Sequence, residues 1–158
     1  AGIPAVAGET LDSAVPSTRQ IIDKLTPRPA QPHFRGITID QPQPPPSIDM
    51  KVTFEFNSAT LTPEARQILD RLGEALNSPE LAESRFQLAG HTDAVGGDSV
   101  NLILSERRAA AVKAYVMVRY KIAASRLETT GYGKTRLLDV AHPESAVNRR
   151  VQVTNIGR

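Results

Sequence analysis

The chain has 158 residues, room for one ordinary domain plus a tail. Hydrophobic residues make up 40% but aromatics only 4%, so a core has to be built from Leu, Val, Ile and Ala. The net charge of +2 sits within 19 basic and 17 acidic residues, without the basic block expected of a dedicated nucleic-acid binder. The absence of Cys excludes disulfides, thiolate-held zinc and thiol catalysis. No apolar run reaches the length of a membrane span. The opening Ala1-Gly2-Ile3-Pro4-Ala5 has neither the basic nor the apolar region of a signal peptide.

Seven of the 12 prolines fall between Pro27 and Pro46, ending in Pro44-Pro45-Pro46. Proline removes a hydrogen-bond donor and favours extended polyproline-like backbone. Residues 1–48 therefore read as a tail and semi-rigid spacer. One short helix fits inside it, from Thr18 to Leu25, with Ile21, Ile22 and Leu25 available for docking. The folded domain is expected over residues 49–158.

Lys51 to Phe56 alternates cleanly, with Val52, Phe54 and Phe56 on one side, and predicts a strand covered on one face. Thr62-Pro63 forms a helix start. Leu61, Ala65, Ile68, Leu69, Leu72 and Leu76 then recur at helical spacing as far as Asn77. A second strand is expected over Arg85 to Ala89 and a long helix over Val100 to Tyr120. Two short strands follow, Arg126 to Thr130 and Arg149 to Thr154. In the last, Val151 and Val153 share the core face with Arg149, while Arg150 points away. The order β-α-β-α-β-β, with amphipathic helices and one-sided strands, predicts an α/β fold: a two-layer α+β sandwich with a mixed sheet and two main helices on one face.

Two places carry candidate chemistry. At about 100° per residue, Leu104, Ala111, Tyr115 and Val118 form a stripe along the long helix, and Arg108 falls in its middle. A guanidinium on a core-facing side needs a charged or polar partner. Either it pairs with an internal carboxylate, or it reaches a pocket and holds an anion there with its planar fork. The second place is Gly90-His91-Thr92-Asp93, directly after a strand. Glycines at Gly90, Gly96 and Gly97 permit close backbone approach, and Asp93 lies just ahead of the long helix. An acceptor-only Asp93 beside a donor-only Arg108 complements a zwitterion, and backbone N–H groups at the helix start add to the anion side. The plain alternative is an Asp93–Arg108 salt bridge with no ligand.

Other chemistry lacks parts. His91 and Asp93 want further ligands for a metal, and His33 and His142 sit unpaired in loops, so neither metal nor cofactor is expected. Ser105 lies in a predicted helix without a nucleophile elbow. Arg107, Lys113, Arg119 and Lys121 read as a solvated face without interleaved aromatics, so no nucleic-acid partner is expected. Tyr132 between two glycines either plugs the turn or binds. Arg149 either caps the sheet with a salt bridge or lines the pocket.

Gly90-His91-Thr92-Asp93, Asn101, Leu104 to Ala109, Gly131-Tyr132-Gly133 and Asn148 to Val151 form one ordered series. Over roughly residues 50–155 it strongly resembles the OmpA C-terminal domain, shared with the peptidoglycan-associated lipoprotein and the stator protein MotB. The resemblance implies a non-catalytic, periplasmic module of a Gram-negative envelope, associated with the outer membrane. It implies a grip on the side-chain end of meso-diaminopimelate in the peptidoglycan stem peptide, a zwitterion. The family's ligand-binding Asp and Arg fall on Asp93 and Arg108. The loop Asn57-Ser58-Ala59 lines the same site, Asn57 standing where many members have Asp, and Thr92, Asn101 and Leu104 lie on its rim. The segment Lys134 to Pro143 departs from the family pattern and lacks its Gly-Arg pair, which bears on the pocket wall. Envelope or membrane proteins are expected partners of the N-terminal tail. The alternative expectation is an interaction module of an envelope assembly that has lost wall binding.

Overall fold

A computed structural model describes residues 15–27 and 44–158. Most of the Pro-rich stretch, and with it the polyproline reading, lies outside these residues. The chain runs α1 (Thr18–Leu25), β1 (Ser47–Met50), α2 (Pro63–Leu76), β2 (Arg85–His91), α3 (Asp98–Tyr120), β3 (Leu127–Gly133) and β4 (Arg150–Gly157), with single 3-10 turns at Ala124–Arg126 and Ala146–Asn148. The four strands form one sheet in the order β1-β4-β2-β3. β4 is antiparallel to both β1 and β2, whereas β2 and β3 are parallel. This mixed sheet carries the helices against one face, the α/β two-layer architecture expected.

The helix starts follow from their caps. Thr62 accepts a hydrogen bond from the Ala65 amide and Pro63 opens α2, fixing φ where the missing N–H costs nothing. α2 buries Ala65, Ile68, Leu69, Leu72 and Leu76. α1 is held by a capping box between Ser17 and Gln20, and buries Ile21, Ile22 and Leu25 in the same core as Leu72, Phe86 and Val153. Asn155 ties this helix to the sheet: its Nδ2 donates to Leu25 O at 2.9 Å and its backbone N to Pro46 O at 2.8 Å.

Two expectations are corrected. The first strand is not Lys51 to Phe56 but Ser47–Met50, paired with Val151 to Thr154. After Met50 the chain leaves the sheet and turns back on itself. Glu55 N donates to Thr60 O and Phe54 bridges to Leu61, while Asn57 occupies the left-handed region at φ 51. Asn tolerates that conformation because its short polar side chain bonds locally. Phe56 therefore sits at the turn, 92% exposed, away from Val52, which is buried.

The buried face of α3 also differs from expectation. It consists of Asn101, Ser105, Ala109, Val112 and Val116. Leu104, Arg108, Ala111 and Tyr115 lie on its flank, and Val118 is exposed. Small residues face the sheet here because α3 lies almost directly on two glycines. A Cβ on Gly90 would come within 2.2 Å of Ser105 O, and one on Gly131 within 2.4 Å of Ser105 Oγ. Ser105 locks the contact by accepting the Gly133 amide at 2.9 Å.

Candidate functional site

At the end of the sheet where β1 stops pairing, Val52, Phe54, Gly90, His91, Arg108, Arg149, Arg150 and Val151 line a depression. Each charged member has a distinct setting. Arg108 comes from the flank of α3, where its Nε donates to Ser58 O at 3.0 Å and its guanidinium lies 4.8 Å above the Phe54 ring. The refolded turn after Val52 thus supplies both an acceptor and an aromatic face for this cation. Among the described residues, no carboxylate lies within ion-pair distance of Arg108, and its terminal nitrogens make no hydrogen bond. Burial pushes its pKa below the ordinary arginine value, Arg149 adds to this, and Asp93 opposes it.

Asp93 is nearly buried. Its Oδ2 accepts from Arg149 Nη1 at 2.5 Å, and its Oδ1 accepts from the Val95 amide at 3.0 Å. Each carboxylate oxygen keeps a second acceptor position. The Asp93–Arg108 salt bridge considered from spacing is not formed; Arg149 takes that place, reaching across from the start of β4. Arg150, expected to point away from the core, is only 8% exposed and pairs with Asp49 Oδ1 at 2.8 Å. Among the described residues, three guanidiniums, Arg108, Arg149 and Arg150, accordingly face two carboxylates, Asp93 and Asp49, leaving one positive charge without a counter-ion.

The remaining predicted residues fall around this centre. Ser58 touches Arg108 through its carbonyl, whereas Asn57 is exposed and Ala59 half-buried in the same turn. Thr92 is buried, donating to Asp93 O at 2.9 Å and, through its amide, to Gly133 O at 2.8 Å. It acts on the loop backbone. Asn101 does likewise, its Nδ2 donating to Val95 O at 2.9 Å. Leu104 is half-buried on the flank of α3, one turn before Arg108.

The sequence gives no site role to Phe54, Asp49 or Asn148. Phe54 beneath Arg108 was assigned to a strand, and Asp49 to the tail boundary. Asn148, fully buried, accepts from the Asp139 amide and donates to the carbonyls of Asp139, His142 and Pro143. The segment Lys134 to Pro143 is thereby folded onto the site: Ala94 N donates to Pro143 O at 2.9 Å, and Lys134 Nζ to Gly96 O at 3.0 Å. Among the described residues, no cluster of three or more His, Cys, Asp or Glu could hold a metal, and no helix is long and apolar enough to cross a membrane.

Solved structures with the same architecture include the OmpA-like domain of FopA1 from Francisella tularensis, at 21% identity with a TM-score of 0.58, covering 71% of this chain and 75% of that one. The periplasmic domain of Helicobacter pylori MotB matches at 16% identity with a TM-score of 0.56, over 70% and 80% of the two chains. At these identities the likeness shows the fold alone. Sequence relatives are nearer. Outer membrane protein A of Bordetella avium is 34% identical over 160 residues, 99% of this chain and 70% of that protein. The peptidoglycan-associated lipoprotein of Pseudomonas aeruginosa is 38% identical over 102 residues, 63% of this chain and 58% of that protein. The chain spans 32% of the length of outer membrane porin F of Pseudomonas fluorescens, to which it is 32% identical over 109 residues. The OmpA family model matches residues 53–150, more than half of the sequence and every residue of the site except Asp49, Val52 and Val151, and the chain belongs to the OmpA family.

Proposed function

We propose that this protein binds peptidoglycan non-covalently, through the zwitterionic side-chain end of meso-diaminopimelate, and so anchors the envelope of a Gram-negative cell to its wall without catalysing a reaction. The observation that carries this reading is Arg108: a half-buried guanidinium, oriented by Ser58 O and Phe54, with free terminal nitrogens and no carboxylate partner among the described residues. A ligand carboxylate would complete it in the two-pronged geometry that Arg favours. Asp93, fixed by Arg149 and the Val95 amide, would accept from the ammonium on the same ligand carbon through its remaining lone pairs. The kinship with a peptidoglycan-associated lipoprotein and with outer membrane proteins supports a place in the periplasm beside the wall. Individually weak sites suffice there, because the wall is a repeating lattice and repeated attachment raises avidity. The N-terminal tail would serve envelope or membrane protein partners.

Calorimetric titration of wild type, Arg108→Ala and Asp93→Ala with meso-diaminopimelate tests the reading. Saturable binding is expected in wild type. A loss of roughly 30- to 100-fold or more is expected in each variant, because each removes a charge-assisted contact worth about 2–3 kcal/mol. Unchanged binding in both variants with normal circular dichroism, or no binding by folded wild type, would sink it. A second reading, an interaction module that no longer grips the wall, is favoured by the engagement of both Asp93 oxygens within the protein. Co-sedimentation with purified sacculi separates the two.

A further inference from the structure

One residue lining the depression, the buried His91, is not used by the proposed binding. His91 ends β2 and is 3% exposed, and among the described residues neither ring nitrogen has a hydrogen-bond partner. Native proteins rarely leave a buried polar atom unsatisfied. The neighbours explain how this one is tolerated. Tyr132 of β3 stacks on the ring at 5.3 Å between centroids, and the guanidinium of Arg136 covers Tyr132 at 3.8 Å. Arg150 of β4 pairs across the strand with His91, and its own partner is Asp49 of β1. The carbonyl of Arg136, the backbone acceptor beside the imidazole, also accepts from Arg150 Nη2 at 3.2 Å.

This stack is also what seats the segment 134–148. Arg136 belongs to that segment, and its ring contact and its carbonyl bond both press it onto the His91–Tyr132–Arg150 layer. The segment in turn holds the loop carrying Asp93, through the Ala94–Pro143 and Lys134–Gly96 bonds. We propose that His91 is an acid-sensitive latch, whose protonation places a third cation among Arg136 and Arg150 against a single carboxylate and so lifts segment 134–148 off the sheet, loosening the Asp93 loop.

The direction follows from the surroundings. Burial, then Arg150, lower the His91 pKa to about 4 from 6.5, with Asp49 opposing, Arg136 lowering it further and the Arg136 carbonyl opposing. The closed form therefore prefers neutral imidazole. Closure is at full strength above the unperturbed value and is lost as pH falls from about 6.5 toward about 4. Opening would become up to about 50-fold more favourable between about pH 7 and about pH 4.5.

Amide hydrogen exchange of the full chain, corrected for the intrinsic pH dependence, reads this directly. The probes are Ala94 N–H on Pro143 O and Asp139 N–H on Asn148 Oδ1, with Gly133 N–H on Ser105 Oγ as a reference beneath α3. His91→Phe keeps the stacking on Tyr132 but cannot take a proton. The other ionisable side chains nearby, Asp49, Asp139 and His142 (bonded to Asp139 at 3.0 Å), remain in both proteins. In wild type, protection of Ala94 and Asp139 should fall on acidification while Gly133 holds. In His91→Phe the acid response should shrink by at least tenfold. If the Phe variant fails to fold, His91→Gln, neutral throughout, takes its place in the same comparison. Equal acid responses in wild type and variant, or a His91 ring that titrates at its ordinary value by NMR, would overturn the latch.

Discussion

Replacing Gly90 with Ala tests the close seating of α3 on the sheet, which sets where Arg108 stands. The φ of Gly90 is not in the left-handed region, so the backbone itself accepts Ala, and the effect is steric. The new Cβ would lie 2.2 Å from Ser105 O and 2.9 Å from Ser105 C, both atoms of helical backbone. Restoring even a 3.0 Å approach requires a displacement of 0.8 Å, and no side-chain rotation supplies it. Overpacking of this kind costs about 1–3 kcal/mol, and the rigidity of a helix carbonyl places the cost near the upper end. Lower entropy of the unfolded chain returns about 0.4–1 kcal/mol. A net loss of about 2 kcal/mol should lower Tm by roughly 5–8 °C in a chain of this size. Thermal unfolding followed by circular dichroism measures it. Adding Ser105→Ala should bring no relief, since the clash is with backbone. A Tm within about 2 °C of wild type, or full rescue by Ser105→Ala, would refute the reasoning.

Two further outcomes are expected. Arg126 donates to three carbonyls, Leu76 O at 2.9 Å, Leu81 O at 2.7 Å and Ser84 O at 3.0 Å, closing the C-terminal end of α2. Arg126→Ala should cost about 2–4 kcal/mol by urea denaturation with an unchanged m-value, and Arg126→Lys should recover little, lacking the planar fork. Leu25 of α1 is fully buried, so Leu25→Ala should cost about 2–5 kcal/mol. A loss below about 0.5 kcal/mol would mean that α1 is not part of the cooperative unit.

What could be read in advance was what is encoded locally. Thr62-Pro63 announces the start of α2 by chemistry confined to two residues, and the structure places it there. The order of elements and the gathering of Gly90 to Asp93 near Arg108 were likewise legible. The first strand was misplaced because Val52, Phe54 and Phe56 alternate well, while the pairing that decides the matter, Ser47–Met50 with β4, joins residues about a hundred positions apart. Local prolines also weighed against Ser47. The buried face of α3 was misassigned because Leu104 and Tyr115 are more apolar than Asn101 and Ser105. What selects the smaller residues is the bare backbone of Gly90 and Gly131 opposite them, a tertiary fact. The Asp93–Arg149 pair was out of reach for the same reason: it depends on the β2–β4 register that sets His91 opposite Arg150.

The placement of Asn155 has a mechanical consequence. Its bonds to Leu25 O and Pro46 O join the N-terminal elements to one end of β4, while Arg149 and Arg150 bring the other end to the depression. Five residues of strand, roughly 17 Å, separate the two attachments. β4 is an inner strand, bonded to β1 on one side and β2 on the other. Tension between an occupant of the depression and α1 would therefore run along β4, parallel to the strands. The ladder bonds on both sides would then share that load in shear, rather than parting one at a time as in an unzipping hairpin.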